Sequence, residues 1–390
     1  MVSFLPSEEE KAFVDVAKDF AVQKIRPYAR QTEKNKAVSE DIVKQLGDLG
    51  LLHLELPESY GGLELPLVSQ VQIAEALAYG DLDTIQGLPG AGQGASFIRL
   101  QDEHQVFSSY KAQCETGISP TVAVVYPNQH KLEIRKKDNG YIINGETTPL
   151  KNALQAEYLL VASTDTTGES VLLWLERENN HPWQALEGDY RLGLLSAGFA
   201  QIQFNEVSVS IDNVLASGSV AESWMKDSLS RIRTLEAAKE VGVMQAAVDY
   251  AVEYTSQRKA FGVEIAKFQG VSFNIAQMAI QTNVARHLAL YAAKQIDEGE
   301  PDAVFHSIQA LNKAHQALRF VTDSSVQLLG GHGYVQEHPV EKWMRDGQAQ
   351  VGWFEQEGDL EIRAGNWTIY GSERGKNNDL IRVDVTSKSS

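Results

Sequence analysis

The segment QLLGGHGYVQEHPVEKWMRDGQAQVGWFEQEG, residues 327–358, is the most informative part of this chain. It ends a long helix-forming region and then turns on Gly330, Gly331 and Gly333. Glycines at such a turn indicate a backbone with positive φ, or one that approaches another group closely. Acidic residues follow beside Trp353 and Phe354. Aromatic neighbours can desolvate a carboxylate and raise its pKa, so this segment offers a candidate proton acceptor.

Composition sets limits on the class of protein. The chain has 390 residues, 43% of them hydrophobic, and a formal net charge of −17. That charge argues against nucleic acid or an anionic membrane as the main partner. The single cysteine, Cys114, cannot form an internal disulfide, and the first residues lack the pattern of a signal peptide,. No apolar run approaches the length needed to insert in a membrane. We therefore expect a cytoplasmic location.

The spacing of apolar residues along the chain predicts an α+β protein. Apolar residues at helical spacing dominate the first part of the chain, and short alternating runs separated by turn residues follow,. Long helical patterns with short connections then return, which favours a bundle. We predict an N-terminal helical domain (1–117), a middle β-barrel or sandwich domain (118–220), a C-terminal four-helix bundle (221–358) and an irregular tail (359–390).

Two motifs in this layout resemble the acyl-CoA dehydrogenase family of flavoproteins. The first is QRKAFGVEI at 257–265, followed by Phe268-Gln269. The second is QLLGGHGY at 327–334, followed by PVEK at 339–342 and Arg345-Asp346. Their order and spacing agree with the family over nearly the whole chain. The resemblance implies the three-domain fold given above.

The resemblance also implies a bound FAD. Arg258 and Phe261 match positions that hold the pyrophosphate and adenine side of the cofactor across a subunit interface. An arginine fork suits a phosphate, and Gly262 lets the backbone pass closely. Further cofactor contacts are expected at Gln269, Gln327, Gly330 and Gly331. A shared site of this kind implies a homodimer or homotetramer, or a heteromer with a related chain.

The reaction implied by the family is α,β-dehydrogenation of an acyl thioester carried by coenzyme A or a carrier protein. A carboxylate removes the α-proton, a hydride passes to the flavin, and an electron-transfer flavoprotein accepts the electrons. Arg233 matches a substrate-binding arginine near the acyl end; the alternative is an ordinary ion pair. The histidines show no spacing typical of metal ligands, so we predict no metal.

The sequence departs from the family at the catalytic base. Most members carry this base in a Tyr-Glu-Gly-Thr tetrad, which is absent here. Counting from Arg345 without a gap places Phe354 at the base position, and the family's other base position is Ile232. Neither side chain accepts a proton. One inserted residue selects Glu355, and matching the Glu-Gly pair selects Glu357, so these two are the predicted catalytic residues.

The β-domain departs from the family as well. The family's flavin loop is replaced by the shorter VYPNQH at 125–130, and Pro149-Leu150-Lys151 stands where members carry Trp-Ile-Thr. An aromatic wall and a hydroxyl donor to the flavin are therefore missing, although Asn152 is retained.

Three functions remain open from the sequence. The first is an acyl-CoA dehydrogenase-like oxidoreductase of fatty acid metabolism with an atypical base. The second is a non-catalytic subunit that pairs with an active relative, because both base positions are altered. The third is a flavin monooxygenase on the same fold, which needs no strong base. Acyl chain length and branching are not determined.

Overall fold

The structure is a computed structural model that describes residues 8–117, 119–127, 130–177, 183–186 and 191–374. The predicted loop residues Asn128 and Gln129 and the end of the predicted tail, 375–390, lie outside these ranges. Within the described residues, no helix combines the length and apolar character that a membrane crossing requires.

The N-terminal region is helical. Ser39 accepts a hydrogen bond from the Ile42 amide and so caps the third helix, and Asp81 caps the fifth through the Thr84 amide,. The fourth helix is almost wholly buried, so it forms the centre of this region. The helices are α1 (Glu8–Phe20), α2 (Ala29–Asn35), α3 (Glu40–Asp48), α4 (Leu67–Ala78), α5 (Leu82–Gln86), α6 (Gly94–Leu100) and α7 (Ser108–Glu115).

The middle region is a β-sandwich. Its strands are β1 (Val122–Val125), β2 (His130–Lys137), β3 (Gly140–Thr147), β4 (Tyr158–Thr164), β5 (Ser170–Glu176), β6 (Trp183–Leu186), β7 (Gln201–Ser210) and β8 (Val214–Ser217). One sheet has the order β1-β4-β5-β8 and the other β2-β3-β7-β6. Only the β1–β4 pair is parallel among these pairings. Val125, Val161, Ile143 and Phe204 pack between the sheets.

The C-terminal region consists of long helices: α8 (Gly218–Gln257), α9 (Gln269–Asp297), α10 (Ala303–Leu329), α11 (Val340–Trp353) and α12 (Glu357–Arg374). A short hairpin, β9 (Lys259–Ala260) and β10 (Val263–Glu264), connects α8 to α9. Gly242 lets α8 approach α4 closely, because a Cβ there would lie 2.3 Å from the Glu75 carbonyl oxygen. This close contact joins the N-terminal helices to the bundle.

The prediction of an irregular segment from residue 359 was wrong for the part that the structure describes. Residues 359–374 belong to α12, although Gly371 has non-helical dihedral angles. Leu360 is buried, and Ala364 and Trp367 pack against the same core. These positions have helical spacing, and Gly365 and Gly371 obscured it in the sequence. The α+β class with helical, sandwich and helical-bundle parts is confirmed, while the domain boundaries stay predictions.

Candidate active site

A cavity of about 140 Å³ lies between the N-terminal helices and α8. Its wall is mostly apolar and includes Leu54 and Leu88 from loops, Ala74 from α4, and Ile232 and Leu235 from α8. A buried apolar space of this kind can enclose an apolar group and exclude water from it.

Part of the cavity wall is charged. We call Lys151, Glu236 and Lys239 the charged wall, because all three line the cavity and are buried or nearly so. The Glu236 carboxylate accepts hydrogen bonds from the Nε2 atoms of three glutamines and from one ammonium: Gln86 (2.5 Å), Gln93 (3.0 Å), Gln350 (3.0 Å) and Lys239 (2.8 Å). Burial alone would raise the pKa of Glu236, but the charges of Lys239 and Lys151 outweigh it and lower the pKa to about 2. Glu236 therefore organises the wall and is a poor proton acceptor.

Lys151 differs from the other two members of the charged wall. Its Nζ donates a hydrogen bond to Gln86 Oε1 at 2.9 Å and lies 5.7 Å from the centre of the Trp353 ring. Burial is the main cause that lowers the pKa of Lys151, and the charge of Lys239 lowers it further, to about 7. An amine with that pKa is about half neutral at pH 7, so it can accept a proton under physiological conditions.

The structure brings the predicted residues Glu355 and Arg233 together in an ion pair. Glu355 accepts hydrogen bonds from Arg233 Nε at 2.5 Å and Nη2 at 2.8 Å, and from Arg363 Nη1 at 2.6 Å. Burial would raise the pKa of Glu355, but the two guanidinium groups outweigh it and lower the pKa to about 2. Neither Glu355 nor Arg233 lines the cavity. This geometry favours a structural ion pair over the predicted catalytic and substrate-binding roles, which stay untested predictions.

Glu357, the second predicted base, lies in the first turn of α12. Its Oε1 is 3.3 Å from Arg319 Nε on α10, and its side chain is 24% exposed. It does not line the cavity. The contact ties α12 to α10, and the catalytic role of Glu357 also stays a prediction.

The residues predicted to bind the cofactor lie on the surface of the chain. Phe261 is 98% exposed and has a φ of 53°, an unusual conformation for an aromatic residue,. Arg258 is exposed, and its side chain makes no hydrogen bond or ion pair with any residue in the described ranges. The other predicted cofactor residues are also exposed: Gln269, Gln327, Gly330 and Gly331. An exposed guanidinium can bind a phosphate group, and an exposed aromatic ring can stack on a planar group.

Known proteins match this chain over both helical regions. The family model for the acyl-CoA dehydrogenase N-terminal domain matches residues 7–99, and the family model for the C-terminal domain matches residues 223–361. The chain belongs to the acyl-CoA dehydrogenase family. It is an oxidoreductase of a flavoprotein family, and no monooxygenase or non-catalytic relative is favoured by these matches.

Individual family members are similar over most of their length. A Bacillus subtilis protein described as a probable acyl-CoA dehydrogenase, YngJ, is 27% identical over 384 residues, which are 93% of this chain and 97% of that protein. The cyclohex-1-ene-1-carbonyl-CoA dehydrogenase of Geobacter metallireducens is 28% identical over 87% of this chain and 92% of its own. The structure of butyryl-CoA dehydrogenase from Megasphaera elsdenii has a TM-score of 0.82 at 23% identity, covering 94% of this chain and all (100%) of the other.

The turn after α11 supports the gap-free alignment with the family tetrad. Glu355 has a φ of 38°, a left-handed conformation that glycine adopts most readily, and glycine follows the catalytic glutamate in the tetrad,. Phe354, which the gap-free count places at the position of that glutamate, is fully buried, with its ring centre 5.3 Å from that of Tyr126. His315 fixes the turn through Nε2, which is 3.2 Å from each of the Phe354 and Glu355 carbonyl oxygens. The absence of a carboxylate from the family's usual base position stays a prediction.

The charged wall was missed as a functional site by sequence reasoning. Lys151 was noted only as a departure from the family, and Glu236 and Lys239 were not considered. One signal was present. Glu236 lies four residues after Ile232 on α8, so it shares a helix face with Ile232, the family's alternative base position,. Gln86, which bonds to both Lys151 and Glu236, lies in no recognisable motif.

Proposed function

We propose that this chain catalyses FAD-dependent α,β-dehydrogenation of a short acyl thioester whose acyl group lies in the cavity. The observation that carries the proposal is the apolar cavity with a charged wall that includes an amine of near-neutral pKa. A cavity of about 140 Å³ is close to the roughly 150 Å³ that accommodates benzene. An acyl group of about six carbons would therefore fill it.

The exposed residues Arg258 and Phe261, with Gln269, Gln327, Gly330 and Gly331, would hold the diphosphate and adenine of FAD from a neighbouring subunit. When bound, the flavin supplies the acceptor for the hydride from the β-carbon. In this proposal the substrate is attached to coenzyme A or a carrier protein, and an electron-transfer flavoprotein reoxidises the enzyme, as the family resemblance implied.

The proton from the α-carbon requires an acceptor at the cavity. Glu355 and Glu357 are ion-paired outside the cavity lining, and Glu236 has a pKa of about 2. Lys151 combines a place in the lining with a pKa of about 7, and it contacts Trp353, next to the family's base position. We therefore assign the proton transfer to Lys151 Nζ.

Two other features of the wall support this assignment. Lys239 is ion-paired to Glu236 at 2.8 Å. In this proposal its ammonium would lie near the thioester carbonyl and stabilise the negative charge that develops there. His53 also lines the cavity, and burial lowers its pKa, which makes it a weaker base than Lys151.

The experiment is an absorbance spectrum of the purified protein, followed by anaerobic addition of a panel of acyl-CoAs. We expect a flavin spectrum that is bleached by short acyl-CoAs and not by long ones. A protein without chromophore would favour the non-catalytic subunit instead. A stable chromophore that no acyl thioester bleaches would remove the dehydrogenase proposal.

A further inference from the structure

Two lysine amines in the cavity wall meet at one oxygen atom. Lys151 Nζ lies 2.9 Å and Lys239 Nζ 3.4 Å from the same Gln86 Oε1. Lys239 also has the Glu236 carboxylate at 2.8 Å, whereas Lys151 has no carboxylate within 4 Å in the part of the chain that the structure describes. A positive charge on Lys239 is therefore better stabilised than one on Lys151.

This asymmetry decides which amine loses its proton. Two ammonium groups that share a single acceptor in a buried site repel each other, and desolvation adds to the cost of both charges. The Glu236 carboxylate stabilises the charge of Lys239, so Lys151 is the amine that becomes neutral. A desolvated lysine beside a second cation is the arrangement in which an amine becomes a nucleophile.

The size and polarity of the cavity around Lys151 determine which electrophiles can reach its amine. Lys151 is only 9% exposed, and the cavity that it lines is walled mainly by leucine, alanine and isoleucine side chains. A small apolar molecule with one polar, electrophilic carbon matches both the cavity and the amine. Carbonyl compounds much larger than this are excluded by the volume of about 140 Å³.

We propose that Lys151 is a Schiff-base-forming residue that condenses reversibly with small apolar aldehydes and ketones admitted to the cavity. The nitrogen lone pair attacks the carbonyl carbon, and the carbonyl oxygen takes a proton to give a carbinolamine. Loss of one water, with the second amine proton, leaves a C=N bond to Lys151. No oxidant or reductant is consumed, so this activity requires neither bound flavin nor a thioester, and it goes beyond the dehydrogenation proposed above.

Lys151 should form the imine faster than other lysines do, because a larger fraction of its amine is neutral. With a pKa of about 7 for Lys151, its neutral fraction at pH 7 exceeds that of an ordinary exposed lysine by a factor on the order of a thousand. Lys44 is exposed and provides an internal comparison in the same protein.

The test is reductive trapping of the full-length protein with butanal and sodium cyanoborohydride at pH 7, followed by peptide mass spectrometry. The hydride reduces the imine to a secondary amine, so each trapped lysine gains one butyl group. We expect the peptide that contains Lys151 to be labelled first and to near completion while Lys44 stays largely unmodified. Labelling should rise between about pH 6 and 8 and then level off, because Lys151 loses its proton over this range; Glu236 and Lys239 are the charged groups that act on it within the described residues,.

Two variants make the result specific. Lys151→Arg keeps a positive charge and cannot form an imine under these conditions, so the rapid labelling should disappear. Lys239→Met removes the neighbouring cation, so the pKa of Lys151 should rise and its labelling at pH 7 should fall several-fold. Labelling of Lys151 at the same rate as Lys44 in the wild-type protein would overturn the proposal, even if acyl-CoAs bleach the flavin normally.

Discussion

Replacing Glu355 with glutamine separates the catalytic role predicted from the sequence from the ion pair seen in the structure. Glu355 is held by Arg233 and Arg363, and its side chain is 16% exposed. Its pKa falls from 4.5 to about 2, which corresponds to about 3 kcal/mol of stabilisation at neutral pH. Breaking a buried ion pair typically costs a similar amount, about 3–5 kcal/mol.

This free energy can be measured as a change in melting temperature. A chain of 390 residues has an unfolding entropy of roughly 2 cal/mol/K per residue, so a loss of about 3 kcal/mol lowers Tm by about 4 °C. The pKa of Glu355 is depressed in the folded state, so its contribution is complete above the unfolded pKa of 4.5 and is lost as the pH falls towards 2,. The difference between wild type and Glu355→Gln should therefore be constant above about pH 5 and shrink below it.

The assay combines differential scanning calorimetry with flavin bleaching by an acyl-CoA. Glu357→Gln is the matched control, because its partial exposure predicts a change of at most about 1 kcal/mol,. We expect Glu355→Gln to melt lower but to be bleached at close to the wild-type rate at a temperature where it is folded. An unchanged Tm with normal flavin content and no bleaching would show that Glu355 is the base, and our assignment to Lys151 would be wrong.

Three further variants test other parts of the structure. Lys151→Met should slow anaerobic flavin bleaching by at least about 100-fold without reducing flavin content; a normal rate would exclude this residue as the base. Arg258→Ala should weaken FAD binding by about 10- to 100-fold in a fluorescence titration, as expected for one charged hydrogen bond; unchanged affinity would place the diphosphate elsewhere. Gly242→Ala should lower the free energy of unfolding by about 1–3 kcal/mol, because its Cβ would lie 2.3 Å from the Glu75 carbonyl oxygen,. Gly352→Ala has open space around it, so similar losses for both variants would refute the close-packing explanation.

The fold was predictable from the sequence because its signals are local and numerous. Helical and strand patterns gave the order of the three regions, and QRKAFGVEI with QLLGGHGY identified the family. Helix α12 was missed because its apolar spacing at Leu360, Ala364 and Trp367 is interrupted by glycine. Packing of these side chains against the core overrides the low helix propensity of the glycines.

The candidate site was less predictable because it depends on contacts between distant parts of the chain. Gln86, Lys151 and Gln350 come from α5, the β-domain and α11. No local pattern shows that Gln86 and Gln350 both bond to Glu236, or that Lys151 bonds to Gln86. The altered base position, which the sequence also indicates, stays a prediction. It could not show that Glu355 is neutralised by Arg363, since that partner lies in a segment expected to be irregular.

The most direct measurement is an anaerobic single turnover of the flavin-loaded protein with one equivalent of a short acyl-CoA, analysed by mass spectrometry of the acyl group. The proposal predicts an enoyl thioester that has lost two hydrogens, in an amount equal to the flavin reduced. It also predicts that an acyl-CoA with deuterium at the α-carbon reacts more slowly in the wild-type protein. Recovery of unchanged acyl-CoA from a protein with full flavin occupancy would contradict the proposed dehydrogenation.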